Sequence, residues 1–154
     1  MKAMRIIALL FGLALGAAEA APDFSGTWTL NPAKGANLGM MAAVQETVTV
    51  AQTADKLTID HAATFQGETT KRTVNYDLTG KPVMNPGPMG GEGETVVKWD
   101  GDKLVATWTT EGAIAGTKVT RTETWSLAAD GQSLSVETAR SNRPNMIMVY
   151  EKKK

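Results

Sequence analysis

The chain has 154 residues, in which 16 Lys and Arg balance 16 Asp and Glu, with one histidine and no cysteine. A near-neutral chain without a basic block argues against a nucleic-acid partner. The absence of cysteine excludes disulfides, thiolate catalysis, Cys-ligated zinc and a lipidated N-terminal cysteine. A single histidine also makes most metal sites and His-dependent catalysis hard to assemble.

The first twenty residues read as an address. Met1 to Arg5 is a short positive stretch, Ile6 to Ala18 an apolar run, and Ala18-Glu19-Ala20 puts small residues where a signal peptidase reads them. This is the pattern of a secretory signal peptide over 1–20, with a single domain expected over 21–154. The apolar run is too short to cross a bilayer, which takes about twenty residues. The expected location is therefore periplasmic or secreted. A cysteine-free protein must hold together there by packing alone.

Beyond residue 20 the chain reads as short strands. Threonines alternate with Val, Leu, Ile, Tyr or Trp, and Thr suits a pleated surface. Strands are expected near 24–31, 44–52, 56–66, 69–78, 94–100, 103–110, 117–128, 132–139 and 145–151. Turn residues join them as consecutive hairpins. Asp100-Gly101 and Asp130-Gly131 tolerate positive φ, and Gln66-Gly67 and Thr53 to Lys56 fit the earlier turns. Short connections make neighbours in sequence neighbours in the sheet. The fold class is all-β: an antiparallel up-and-down meander of eight or nine strands, closed into a barrel so that no edge is left exposed.

Two segments break the rhythm. Residues 31–41, with Gly35, Gly39, Met40 and Met41, read as a loop with a helical turn. Residues 79–93 carry Pro82, Pro86, Pro88 and several glycines, which excludes a central strand. That stretch is expected to be a long connection, either a flap over one barrel mouth or a disordered surface loop.

Phe24-Ser25-Gly26-Thr27-Trp28 resembles the Gly-x-Trp opening of the first lipocalin strand. Together with the Trp99 and Trp125 hairpins, the chain most resembles the small exported bacterial proteins grouped as lipocalin-like, with a calycin-type β-barrel. The resemblance implies a barrel closed at one end by the motif Trp, with a cavity for a small apolar or amphipathic molecule. It also implies an Arg from a late strand packed over that Trp, either Arg140 or Arg143.

Alternation projects side chains inward without coordinates. With Leu57, Ile59 and Phe65 goes His61; with Val74, Tyr76 and Leu78 goes Arg72; with Val119, Trp125 and Leu127 go Arg121 and Glu123. Leu104 brings Ala106 and Trp108, and Leu134 and Val136 bring Thr138. Arg72 or Arg121 then takes the polar head of a ligand, Glu123 orients it, and Tyr76, Trp108 and Trp125 supply apolar walls. The competing reading pairs Arg121 with Glu123, or either with Arg72, as a wet ion pair. His61, among apolar neighbours, reads as a hydrogen-bonded core residue.

Enzyme motifs fail. Gly112 to Lys118 lacks the strand-to-helix junction of a phosphate loop, and no Gly-x-Ser-x-Gly elbow is present. Met40, Met41, Met84, Met89, Met146 and Met148 raise a minor copper alternative, since thioethers suit Cu(I). The expected protein is an exported, monomeric, non-enzymatic binder of a small hydrophobic or amphipathic molecule, with no cofactor. The alternative is an envelope or extracellular interaction module with a filled barrel.

Overall fold

The structure is a computed structural model that describes residues 20–154. The expected signal peptide thus falls, but for Ala20, outside the described residues. The strands are β1 (Gly26–Leu30), β2 (Gln45–Gln52), β3 (Lys56–Phe65), β4 (Glu68–Asp77) and β5 (Val83–Pro86). They continue with β6 (Glu92–Asp100), β7 (Lys103–Glu111), β8 (Lys118–Leu127), β9 (Ser133–Thr138) and β10 (Met146–Lys152). Every adjacent pair is antiparallel, in the order β4-β3-β2-β1-β10-β9-β8-β7-β6-β5. The first and last strands meet side by side, Trp28 facing Lys152.

The strand count is ten rather than eight or nine. The addition is β5, inside the Pro- and Gly-rich 79–93 stretch. Pro cannot donate to a ladder on both sides, so a strand flanked by Pro82 and ending at Pro86 survives only at a sheet edge. That is where β5 lies, paired to β6 alone.

The sheet therefore has two ends, β4 and β5, and they face each other across a seam. No backbone ladder crosses it. A side chain does. The Asn75 backbone N–H donates to Asn85 Oδ1 at 2.8 Å, and Asn85 Nδ2 donates back to the Asn75 carbonyl at 2.8 Å. The Asn85 amide reproduces the paired bonds that one residue would exchange with its opposite number in an antiparallel ladder. Nδ2 also donates to Thr95 Oγ1 on β6 at 3.0 Å, so this buried amide is well satisfied.

We call the end where the odd-numbered strands finish the upper end. Two short 3-10 turns, Pro32–Lys34 and Gly39–Ala43, connect β1 to β2 there. The Gln66-Gly67 hairpin is also at this end, with φ of 51° and 84°, the left-handed pair that a two-residue turn requires.

The lower half is an apolar plug. Trp28, Phe24, Leu57, Ile59, Leu104 and Leu134 are fully buried there. Trp28 Nε1 donates to the Phe24 carbonyl at 2.9 Å, so the indole closes the floor without leaving its polar atom unpaired. Phe24 stacks on Trp99 with ring centroids 6.0 Å apart and meets the edge of Trp125 at 5.9 Å. The cation above Trp28 is Lys152, its Nζ 5.2 Å from the ring centroid. This corrects the expectation of Arg140 or Arg143. Arg140 lies in the upper connection after β9 and donates to the Asn37 carbonyl, while β1–β10 pairing brings Lys152 opposite Trp28.

Candidate functional site

The upper half of the interior has a different chemistry. Glu46 starts the inward row of β2 that continues with Val48 and Val50. On β3 and β4, His61 stands opposite Arg72. On β6, β7 and β8, Thr95, Trp108 and Arg121 form one cross-strand row; Ala106, Glu123 and Thr138 form the next, across β7, β8 and β9. Such opposed side chains sit about 5 Å apart at Cβ, close enough to interact directly.

One cluster is a buried hydrogen-bonded chain. His61 Nδ1 lies 2.9 Å from Glu46 Oε1, and Tyr150 Oη donates to Glu46 Oε2 at 2.8 Å. Burial pushes the Glu46 carboxyl up, but the hydrogen bond and charge of His61, the Tyr150 hydroxyl and the more distant Arg72 together outweigh it. The carboxyl is held below its ordinary value, so Glu46 stays ionised. Burial, then the charge and hydrogen bond of Glu46, drive the Tyr150 phenol well above its own.

A second cluster is an ion pair. Arg121 Nε donates to Glu123 Oε1 at 2.8 Å, and its Nη2 lies 3.4 Å from Thr138 Oγ1. Of the two arrangements open at the level of sequence, Arg121 and Glu123 adopt the mutual pair. Arg72 does not join it. Among the described residues Arg72 makes no ion pair and no side-chain hydrogen bond.

These side chains surround a hollow of about 40 Å³, lined by His61, Arg72, Val74, Tyr76, Asn85 and Pro86 together with Pro88, Thr95, Ala106, Trp108, Arg121 and Glu123. Tyr76 also lacks a hydroxyl partner among the described residues. Burial and then Glu123 raise its phenol far above the ordinary value, so it remains a neutral donor. The Trp108 ring lies close against Gly87 and Gly93 of the β5–β6 hairpin. A Cβ on Gly87 would come within 2.9 Å of the ring, and one on Gly93 would strike it. The missing side chains let Trp108 Nε1 reach past β6 to the Asn85 carbonyl at 3.2 Å. Pro86 and Pro88 complete that wall, so the Pro/Gly connection covers one side of the mouth.

Of the six residues expected to line a ligand site, Arg72, Tyr76, Trp108, Arg121 and Glu123 border the hollow. Trp125 does not; it sits beneath, its ring edge-on to Tyr76 at 6.3 Å. Its Nε1 is the buried side-chain polar atom left without a partner among the described residues. His61 is hydrogen-bonded, as expected, yet also borders the hollow. Glu46 and Tyr150 were missed, although parity with Val48 and with Met148 aims both inward. Asn85 carries no such signal. A larger depression of about 340 Å³ lies among Thr47, Thr49, Asp60, Lys71 and Thr73 of β2–β4, and His61 and Arg72 border it as well as the hollow.

The methionines are dispersed. Met146 and Met148 are core residues, and Met148 Sδ lies 3.5 Å from Tyr150 Oη, whereas Met40, Met84 and Met89 are exposed on separate elements. Among the described residues no cluster of His, Asp or Glu is placed to hold a metal ion, and no helix is long and apolar enough to cross a membrane.

No family model and no curated protein matches the chain. Solved structures do. A protein described as REP1-NXSQ fatty acid transporter superposes with a TM-score of 0.64 at 15% identity, over 84% of this chain and 96% of that one. Human cRBP IV gives a TM-score of 0.64 at 19% identity, over 86% of this chain and 99% of its own. The likeness is one of fold. The chain is an all-β antiparallel barrel of ten strands, nearly closed, and shares its fold with these two proteins.

Proposed function

We propose that this is an exported, non-enzymatic binding protein for a small amphipathic molecule held in the upper half of the barrel. The observation that carries the reading is the pair of uncommitted donors, Arg72 and Tyr76, facing one inner hollow above an apolar floor. An inward Arg without a carboxylate partner is costly unless solvated or bound, and a ligand's acidic or polar head would satisfy it. Arg121 and Glu123 orient that head as a unit, and Trp108 forms the apolar wall beside it. One neighbour's description as a fatty acid transporter supports the same class of ligand.

The hollow of about 40 Å³ has room for about two waters and no more than a few atoms of a ligand. Small-molecule pockets span roughly 300–1,000 Å³, so loading requires the mouth to open. The elements that must yield are Trp108 and the Pro86–Pro88 corner it leans on. Titration with fatty acids, quinones and haem-like compounds should change Trp emission saturably at stoichiometric ligand. Arg72→Met should weaken that response while leaving the melting temperature nearly unchanged.

The same small volume supports a second reading, a filled barrel that binds a protein or envelope surface through its loops. Absence of any saturable Trp response across the panel favours this module over the carrier. Native mass spectrometry of gently purified protein gives an independent answer through a co-purified mass.

A further inference from the structure

The connections at the two ends of the barrel differ in composition. At the lower end each carries a charge: Asp55, Lys81, Asp102 and Asp130. At the upper end, Gly35 to Gln45, Gln66-Gly67, Gly87 to Gly91 and Gly112 to Thr117 carry none. The charged residues within upper connections are Lys34, which is paired with Glu151 at 2.6 Å, Arg140 and Arg143; Glu68, Glu92, Glu111 and Lys118 sit on the adjoining strand ends. Three of the uncharged tips raise an apolar side chain into solvent: Met40 is 75% exposed, Ile114 73% and Met89 99%.

We propose that the upper end is a docking surface for a lipid bilayer, with Met40, Met89 and Ile114 inserting shallowly among the acyl chains. The arrangement favours a fluid surface over a protein partner. The apolar side chains stand on separate tips rather than in one face that a complementary protein would cover. Tips free of charge can enter the headgroup boundary without desolvating an ion. Glycines at 39, 90 and 116 with φ of 56°, 93° and 80° form tight turns beside these tips. The surface is also continuous with the hollow, since Pro86, the last residue of β5, and Pro88, in the Met89 connection that follows it, both border the hollow. An amphipathic ligand would thus pass between bilayer and barrel at one place.

The test uses the absence of cysteine to label one site at a time. Met40→Cys, Met89→Cys and Ile114→Cys, each carrying a polarity-sensitive fluorophore, are compared with Asp102→Cys and Asp130→Cys on the lower turns. With phosphatidylcholine–phosphatidylglycerol vesicles, the upper labels should shift to the blue and be quenched by brominated acyl chains, while the lower labels stay as in buffer. A chain with Met40→Asp, Met89→Asp and Ile114→Asp should lose roughly tenfold in vesicle partitioning, with its circular dichroism unchanged because all three side chains are exposed. Unshifted upper labels overturn the proposal and favour a protein partner. Equal shifts at both ends also overturn it, by showing attachment through another segment. Neither readout requires a bound ligand, so the carrier reading can fail while docking stands, and the reverse.

Discussion

The two halves of this barrel are filled by opposite means. Below, Trp28, Phe24, Trp99 and Trp125 interlock with aliphatic side chains, and the indole of Trp28 finds its hydrogen bond within its own strand's approach. Above, the same pleat turns Glu46 inward onto His61 and leaves a small hollow among His61, Arg72, Arg121 and Glu123. The backbone is alike in both. What differs is whether inward positions carry side chains that pack at any angle or side chains that must find partners. Stability should reside in the lower half, and adaptability to a ligand in the upper.

Substitutions in the floor should have the largest effect. Trp28→Ala removes a fully buried indole and its bond to Phe24, and should cost about 3–5 kcal/mol in urea unfolding. A cost below 1 kcal/mol would remove the distinction between the halves. Next comes the seam. Asn85→Ala leaves the Asn75 N–H and carbonyl unpaired and should cost about 2 kcal/mol. Amide exchange at Asn75 should quicken relative to the laddered residues of β4.

The polar half should show itself in pH. Because the folded state lowers the Glu46 carboxyl, its contribution is complete above the ordinary value of 4.5 and is lost as pH falls through the lower, folded value. Glu46→Gln should flatten that acid limb of the melting curve. Tyr76 and Tyr150 act at the other end. Their phenols are raised above the ordinary 10.0, so the folded state keeps protons that the unfolded chain releases, and stability should fall as pH rises beyond 10. Tyr150→Phe should soften this alkaline loss while removing the hydrogen bond to Glu46.

The smallest effects on stability distinguish the two arginines. Arg121→Met breaks a partly buried pair, its side chains 28% and 21% exposed, and should cost about 1 kcal/mol. Arg72→Met breaks no ion pair or side-chain hydrogen bond and should cost less still, while weakening ligand binding more. Equal losses of binding and stability at both positions would merge them into one structural network.

Most of the inward face is legible in the sequence because β3, β4, β7 and β8 run in unbroken register, without a bulge to reverse parity. Alternation therefore places Arg72, Tyr76, Trp108, Arg121 and Glu123 correctly from Val74, Leu104 and Trp125 alone. It fails where a non-periodic interaction decides. β5 is hidden by Pro82, Pro86 and Pro88, because an edge strand tolerates what a central one forbids. Lys152 over Trp28 depends on a register between chain ends that no local pattern encodes. The free volume depends on how Trp108 and the Arg121–Glu123 pair choose their rotamers, about which parity is silent.

The Asn85 amide also bears on self-association. A barrel normally has no edge to offer, yet in this nearly closed one the two margins are joined by the hydrogen bonds of one side chain. If that contact parts, the ten-residue margin of β4 and the short β5 become templates for a second copy. Opening and polymerising then share a first step, and concentration decides whether the seam finds itself again or a neighbour.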